Sequence, residues 1–288
     1  MLSAAFIQTL IEAGVQAPTL VAIRATELLF AWSLALQTLE YLRMGKYTAD
    51  DAFWSWQLQR ADIPNATARA WLDVLFKPRM HQLHLVLRLC AAAVLAVQGA
   101  SLPLMVFLFV GNLLILIRWR GAFNGGSDFM TLVLLTGLLI SHVVGALGNV
   151  QLGWQAGFWY IAIQAITSYF MSGAVKLLRP EWRNGSAMTI FLNGAIYGPL
   201  SPAHPLRNKW LALLGSWGFI VWEILFPFSL LDPRLAAVFC AVAALFHFLV
   251  FWFFGLNRFF WAWMCSFPAI IWCSGQGVFD RFDLFAQF

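Results

Sequence analysis

Eight apolar runs, each bounded by charges or turn residues, constrain this chain more than any other feature of its sequence. A run of about 17–25 apolar residues is long enough to cross the roughly 30 Å hydrocarbon core of a bilayer as a helix. Within that core every backbone N–H and C=O must be satisfied internally, so such runs become helices. Several of the eight runs reach that length; all eight fall at 19–42, 83–97, 102–117, 129–146, 156–178, 210–230, 234–254 and 259–274. The expected fold is all-α: a polytopic integral membrane helical bundle of about eight transmembrane helices, forming one membrane domain over 1–288. Only 11% of the residues are charged, against about 25% in soluble domains. The 15 Trp and 27 Phe suit both interfacial belts and a bundle interior.

The segments between the runs are expected to lie on the membrane surface. Residues 3–14 read as a short amphipathic helix closed by Gly14. In the long polar stretch 43–81, Asp50-Asp51 open one helix, where the macrodipole favours acids. Pro64-Asn65 begin a second, ending near Lys77-Pro78. Trp54, Trp56, Trp71 and Phe76 mark both as interfacial. The turn Asn124-Gly-Gly-Ser-Asp128 offers Ser127 or Asp128 as the cap of the following helix. The stretch 179–208 is broken by Pro and small residues and is expected to be irregular.

The net charge of +5 does not signal nucleic-acid binding, because the basic residues flank apolar runs in ones and twos. With eight spans, 13 of them lie on odd-numbered connections: Arg43, Lys46, Arg60, Arg69, Lys77, Arg79, Arg118, Arg120, Arg179, Arg183, Arg207, Lys209 and Arg258. The opposite face holds chiefly Arg234 and Arg281. The positive-inside rule then places both termini outside.

The cysteines carry no metal or redox spacing, and Cys90 and Cys240 are expected to pack as small hydrophobes. His81 and His84 stand three apart with no third ligand near in sequence, so no metal is expected; there is no phosphate loop and no nucleophile elbow. His142 reads as a bundle residue. What remains is a set of ionisable groups inside apolar runs, where each is costly and therefore informative. Arg24 and Glu27 are three apart and form either a neutralising pair or a cavity wall. Glu223 is either functional or bridged to Arg24, Arg88 or Lys176. Lys176 either snorkels to the headgroups or serves as a base held away from water. Tyr169, Ser172 and Gly173 share its helix face at i−7, i−4 and i−3, and His247 sits deep in the seventh run.

The pattern Tyr169-Phe…Gly173…Lys176-Leu177…Trp182…Gly185-Ser-Ala-Met188 resembles the corresponding stretch of the vitamin K-dependent gamma-glutamyl carboxylase. It resembles equally the horizontally transferred transmembrane (HTTM) family related to that enzyme. Weaker likeness extends from about Ala25 to Ser274, through the Asn124-Gly-Gly-Ser-Asp128 turn and the Phe246-His247…Phe254-Gly255…Phe259 region. The resemblance implies a helical-bundle enzyme core in which Lys176 is the base linked to oxygenation of a reduced quinone of the vitamin K type. His247 and Tyr169 are further catalytic candidates, and Asn124, Ser127, Glu223 and Trp182 are candidate cofactor contacts. Two departures bear on the chemistry. Gly126-Ser127-Asp128 stands where the carboxylase has a quinol-serving histidine, and no large extramembrane domain like the carboxylase's is expected after the bundle. Three readings result: a quinone-linked oxygenase or peptide-modifying enzyme, a non-catalytic maturation or export partner, or a structural subunit of a larger membrane complex. The expected surroundings are the lipids of a bacterial cytoplasmic membrane, with a small secreted peptide or a membrane-complex protein as partner.

Overall fold

The computed structural model describes residues 8, 11, 12, 14–49, 51, 52, 54–120, 124–196 and 198–277. Among these residues the chain is helical and has no strand. Its principal helices are α1 (Ala17–Arg43), α2 (Trp56–Gln59), α3 (Ala66–Leu75), α4 (Pro78–Gln98), α5 (Leu102–Arg118), α6 (Gly125–Leu147) and α7 (Val150–Leu178). There follow α8 (Pro180–Arg183), α9 (Ser186–Asn193), α10 (Lys209–Leu225), α11 (Pro233–Phe254), α12 (Asn257–Met264) and α13 (Phe267–Ser274). Six helices in the described residues are long and apolar enough to cross a membrane: α1, α4, α6, α7, α10 with its extension to Leu231, and α11. The protein is an integral membrane protein of helical type. The shorter α5 is apolar over 17 residues. The chain divides into two compact units, 1–157 and 158–288, with the boundary inside α7.

Several boundaries differ from the sequence reading, each for a local reason. The helix of the second run begins at Pro78 rather than Leu83, because proline at N1 gives up only an N–H that would be orphaned anyway. The fifth begins at Val150, where the Asn149 side chain accepts from the N–H groups of Gln151 at 2.7 Å and Leu152 at 3.3 Å. Pro227 converts the end of the sixth run into a 3-10 segment, Phe226–Leu231. The last run is not one helix but two of eight residues, α12 and α13, separated at Cys265-Ser266. At 1.5 Å per residue each is only about 12 Å long.

The connections also differ. The helix expected to open at Asp50-Asp51 is only the four-residue α2, with Asp51 in a turn before it. α3 forms as expected, capped by Asn65, which accepts from Ala68 N at 2.9 Å. The cap of α6 is Asn124, not Ser127 or Asp128, which lie inside its first turn. The stretch 179–208, expected to be irregular, contains α8 and α9 as well as a 3-10 turn at Pro205–Arg207. Cys90 is exposed on α4, whereas Cys240 is buried. The amphipathic segment expected at 3–14 lies largely outside the described residues.

The first unit is held by buried polar groups that answer one another. Arg24 pairs with Glu27 at 3.1 Å, the first of the two readings that their spacing left open, and also bonds the carbonyls of Leu95 and Ala96. Glu27 accepts in turn from Ala100 N at 2.7 Å. Arg24 and Glu27 together thereby tie α1 to the end of α4, where Leu95 O also accepts from Gly99 N at 3.1 Å. Deeper, the buried Arg88 donates to Gln37 Oε1 at 2.6 Å, Thr38 Oγ1 at 3.2 Å and Asn112 Oδ1 at 3.1 Å. Gln37 passes the network on to Asp128 Oδ1 at 3.1 Å. A guanidinium taken out of water is costly unless neighbours satisfy it, and α1 and α5 supply those neighbours here.

Candidate functional site

The second unit holds Tyr169, Lys176, Glu223 and His247. Lys176 lies in the last turn of α7, and Pro180 prevents α7 from continuing. Its ammonium donates to both oxygens of Glu223, at 2.6 Å each, and to Ser172 Oγ at 2.6 Å. The Ser172 hydroxyl donates to Glu223 Oε1 at 3.1 Å. All three ammonium N–H groups are therefore engaged. The side chains are only 13% and 2% exposed, so Lys176 does not snorkel freely into headgroups.

Two glycines near Lys176 have a physical role here. A methyl at Gly173 would stand 2.9 Å from Glu223 Cβ and from the Ile224 backbone nitrogen, so only glycine lets α10 approach α7 closely enough for the pair. Gly185 has φ +78°, and a methyl there would lie 2.8 Å from the Leu213 backbone. It turns the chain between α8 and α9 against α10. α8 is pinned to α10 by Ser216 Oγ donating to Trp182 O and by Trp217 Nε1 donating to Arg183 O at 3.0 Å. That fastening brings the Trp182 ring to 5.1 Å from Lys176 Nζ, a cation–π contact.

Lys176 and Trp182 form one wall of a cavity of about 420 Å³. The remaining wall is apolar, with Phe219 of α10, Phe246 and Phe253 of α11 and Met188 of α9 prominent in it. Among the described residues, Lys176 is the only ionisable side chain lining this cavity. The volume lies within the roughly 300–1,000 Å³ typical of small-molecule sites. Lys176 and Trp182 are the residues of this lining able to meet the polar end of a bound molecule.

Tyr169 and His247 form a second pair. Tyr169 Oη lies 2.7 Å from His247 Nε2, and both residues are buried. Tyr169 stacks on Phe226 with ring centroids 4.0 Å apart, and His247 stacks on Trp263 at 4.9 Å. His247 Nδ1 and the indole nitrogens of Trp222 and Trp263 are buried with no hydrogen-bond partner. Tyr169 precedes Lys176 by seven residues on one helix, about 10 Å along its axis. The two pairs thus share a helix face, but no hydrogen bond joins them directly.

Of the candidates from the sequence, Lys176, Glu223 and Trp182 come together, as do Tyr169 and His247. Asn124 and Ser127 belong to the first unit, where Asn124 Oδ1 accepts from Gly126 N at 3.0 Å and Ser127 N at 3.2 Å. Asp128 closes that cap by accepting from Asn124 N at 2.8 Å. The geometry makes Asn124 the cap, whereas Ser127 is only capped by it through its backbone N–H. Ser172 was legible only as a member of the lysine face, while the aromatic enclosure by Phe226, Trp222 and Trp263 carried no signal distinguishable from ordinary apolar content. His81 and His84 face each other with ring centroids 6.3 Å apart, and no group of three potential metal ligands occurs among the described residues. No protein-family model matches the chain, and comparison with curated proteins and with solved structures gives no match.

Proposed function

We propose that this protein is a membrane enzyme that admits a lipophilic quinol to the cavity of the second unit and uses Lys176 as its base, as the resemblance to the carboxylase core implies. The observation that carries this reading is a lone lysine, paired with a carboxylate, in the wall of an otherwise apolar cavity. A reduced quinone would supply the oxygen-reactive ring. The chain supplies the enclosure and the proton acceptor. As drawn by its contacts, Lys176 is a fully engaged ammonium, so it becomes a base only when a proton passes to Glu223, which is already in hydrogen-bond contact. Ser172 then holds the protonated carboxyl in place, and Trp182 confines the amine to the cavity side. Tyr169 and His247 serve this reading as a nearby proton-exchanging pair, and a small secreted peptide would be the acceptor of any modification.

The same reading places the protein in a bacterial cytoplasmic membrane with eight crossings, α5 and the broken pair α12–α13 being the seventh and eighth. The catalytic part is tested with the native protein and Lys176→Met in lipid nanodiscs, given reduced naphthoquinone and oxygen. Epoxide from the native protein that falls to background in the variant is the expected result. Equal epoxide from both, or none from a folded native sample, overturns it. One observation favours a second reading, a structural subunit of a membrane complex: the complete engagement of the Lys176 ammonium by Glu223 and Ser172. On that reading no epoxide forms, and Lys176→Met impairs only stability or assembly.

A further inference from the structure

Behind the cavity of the second unit lies a pair of buried groups that proton exchange between Lys176 and Glu223 does not require. Tyr169 Oη stands 2.7 Å from His247 Nε2, and the two residues are 3% and 1% exposed. Among the described residues no other hydrogen bond reaches the phenol. Its single proton is therefore directed at Nε2, and His247 carries its own hydrogen on Nδ1. Any neutral acceptor would satisfy a buried phenol. Imidazole adds basicity: it can take the proton completely and hand it back.

The rings around the pair give that basicity a use. Tyr169 stacks on Phe226 and meets Trp263 at 4.7 Å and Trp222 at 5.3 Å between ring centroids. Trp222 in turn meets Phe246 at 5.9 Å, and Phe246 lines the cavity. The phenol is thus joined to the cavity wall by a run of ring contacts through Trp222. Tyrosine and tryptophan are the most readily oxidised aromatic side chains, and an electron crosses ring contacts of this length quickly. An oxidised phenol is a strong acid, so it yields its electron readily only where its proton can leave as well. His247 is the base in hydrogen-bond contact to receive that proton.

We infer that Tyr169 is a redox-active tyrosine, giving one electron to an organic peroxyl radical in the cavity and its phenolic proton to His247 Nε2. The O–H bond breaks, and the products are a neutral tyrosyl radical, an imidazolium and a hydroperoxide anion. One electron from a quinol and the proton held by His247 restore the phenol. The quinol becomes a semiquinone, and the proton it releases neutralises the hydroperoxide. The inference rests on the proposed quinol chemistry only for the origin of the peroxyl radical, so the test supplies that radical directly. Full-length protein in nanodiscs of saturated lipid, without quinol, is mixed in air with a lipid-soluble azo initiator, freeze-quenched and examined by electron paramagnetic resonance. A neutral tyrosyl signal is expected from the native protein. It should fall to background in Tyr169→Phe, which keeps the ring against Phe226. His247→Gln keeps a hydrogen-bond acceptor but no base, so a purely structural bond would leave the signal unchanged, whereas proton transfer predicts its loss. In native protein carrying 15N-histidine the radical should couple to an imidazole nitrogen, a readout that requires no variant to fold. Absence of the native signal, its persistence in Tyr169→Phe or in folded His247→Gln, or absence of the nitrogen coupling overturns the proposal. A signal with the initiator but none with reduced naphthoquinone and oxygen supports the Tyr169–His247 step and counts against the quinol reading alone.

Discussion

At the scale of single residues, the Lys176–Glu223 pair shows how far a sequence can be read. Helical spacing placed Tyr169, Ser172, Gly173 and Lys176 on one face, and Ser172 does bond the lysine. The partner of Glu223 was open among Arg24, Arg88 and Lys176, because no local rule relates residues 47 positions apart. The structure resolves it by giving each arginine other neighbours: Arg24 bonds Glu27, and Arg88 bonds Gln37, Thr38 and Asn112. Removing one member of such a pair leaves an uncompensated buried charge, which costs about 3–5 kcal/mol, whereas replacing both by apolar residues is often neutral. Glu223→Leu should therefore lower the thermal unfolding midpoint in nanodiscs more than Glu223→Leu combined with Lys176→Met. If the double variant is the less stable of the two, the pair is worth more than its desolvation, and this account of it is wrong.

At the scale of elements, close approach and surface anchoring decide what the apolar pattern leaves open. Apolar surface does not drive helices together inside a bilayer, so small residues at contacts determine how near the backbones come. Gly173→Ala would push α10 from α7 at the point where Glu223 reaches Lys176. Overpacking of this kind costs about 1–3 kcal/mol. A lower unfolding midpoint is expected, together with loss of whatever Lys176-dependent activity or binding the native protein shows, while Gly218→Ala, whose added methyl meets nothing within 4 Å, should be silent. A second test concerns α2 and α3. Asp73 accepts from Arg60 Nη2 at 2.6 Å and Nε at 3.0 Å, and from Trp56 Nε1 at 2.7 Å. Arg60, and then the Trp56 indole, hold its carboxyl down to about 2. Because the folded value lies below the unfolded one, the contribution is complete above about pH 4 and disappears as pH falls through about 2. Hydrogen exchange across 56–76 should accelerate in Asp73→Asn at pH 7, and the difference from native should narrow as the pH approaches 2. A difference that persists undiminished there would assign the effect to packing instead.

At the scale of the whole molecule, helix lengths alone leave the number of crossings open, but the distribution of charge bears on it. The apolar runs were legible because bilayer thickness dictates their length; the broken α12–α13 was not, since composition does not register a break at Cys265-Ser266. The deciding element is α5, whose 17 residues span about 25 Å at 1.5 Å each, slightly less than the hydrocarbon core. If α5 crosses, the 13 basic residues named above fall on one face of the membrane, with chiefly Arg234 and Arg281 opposite. If it does not, every later connection changes sides, and the same 13 divide into six on one face and seven on the other. The second arrangement abolishes the asymmetry that orients membrane helices, whereas the first satisfies it strongly. α5 should therefore cross, aided by Ser101 before it and Arg118-Trp119 after it at the two boundaries. Single cysteines at Ser101 and Arg120, in a chain whose native cysteines are replaced by serine, should react with a membrane-impermeant maleimide from opposite faces of sealed vesicles, Arg120→Cys from the cytoplasmic face. Labelling of both from the same face would make α5 a re-entrant or surface helix and reverse the orientation of every helix after it.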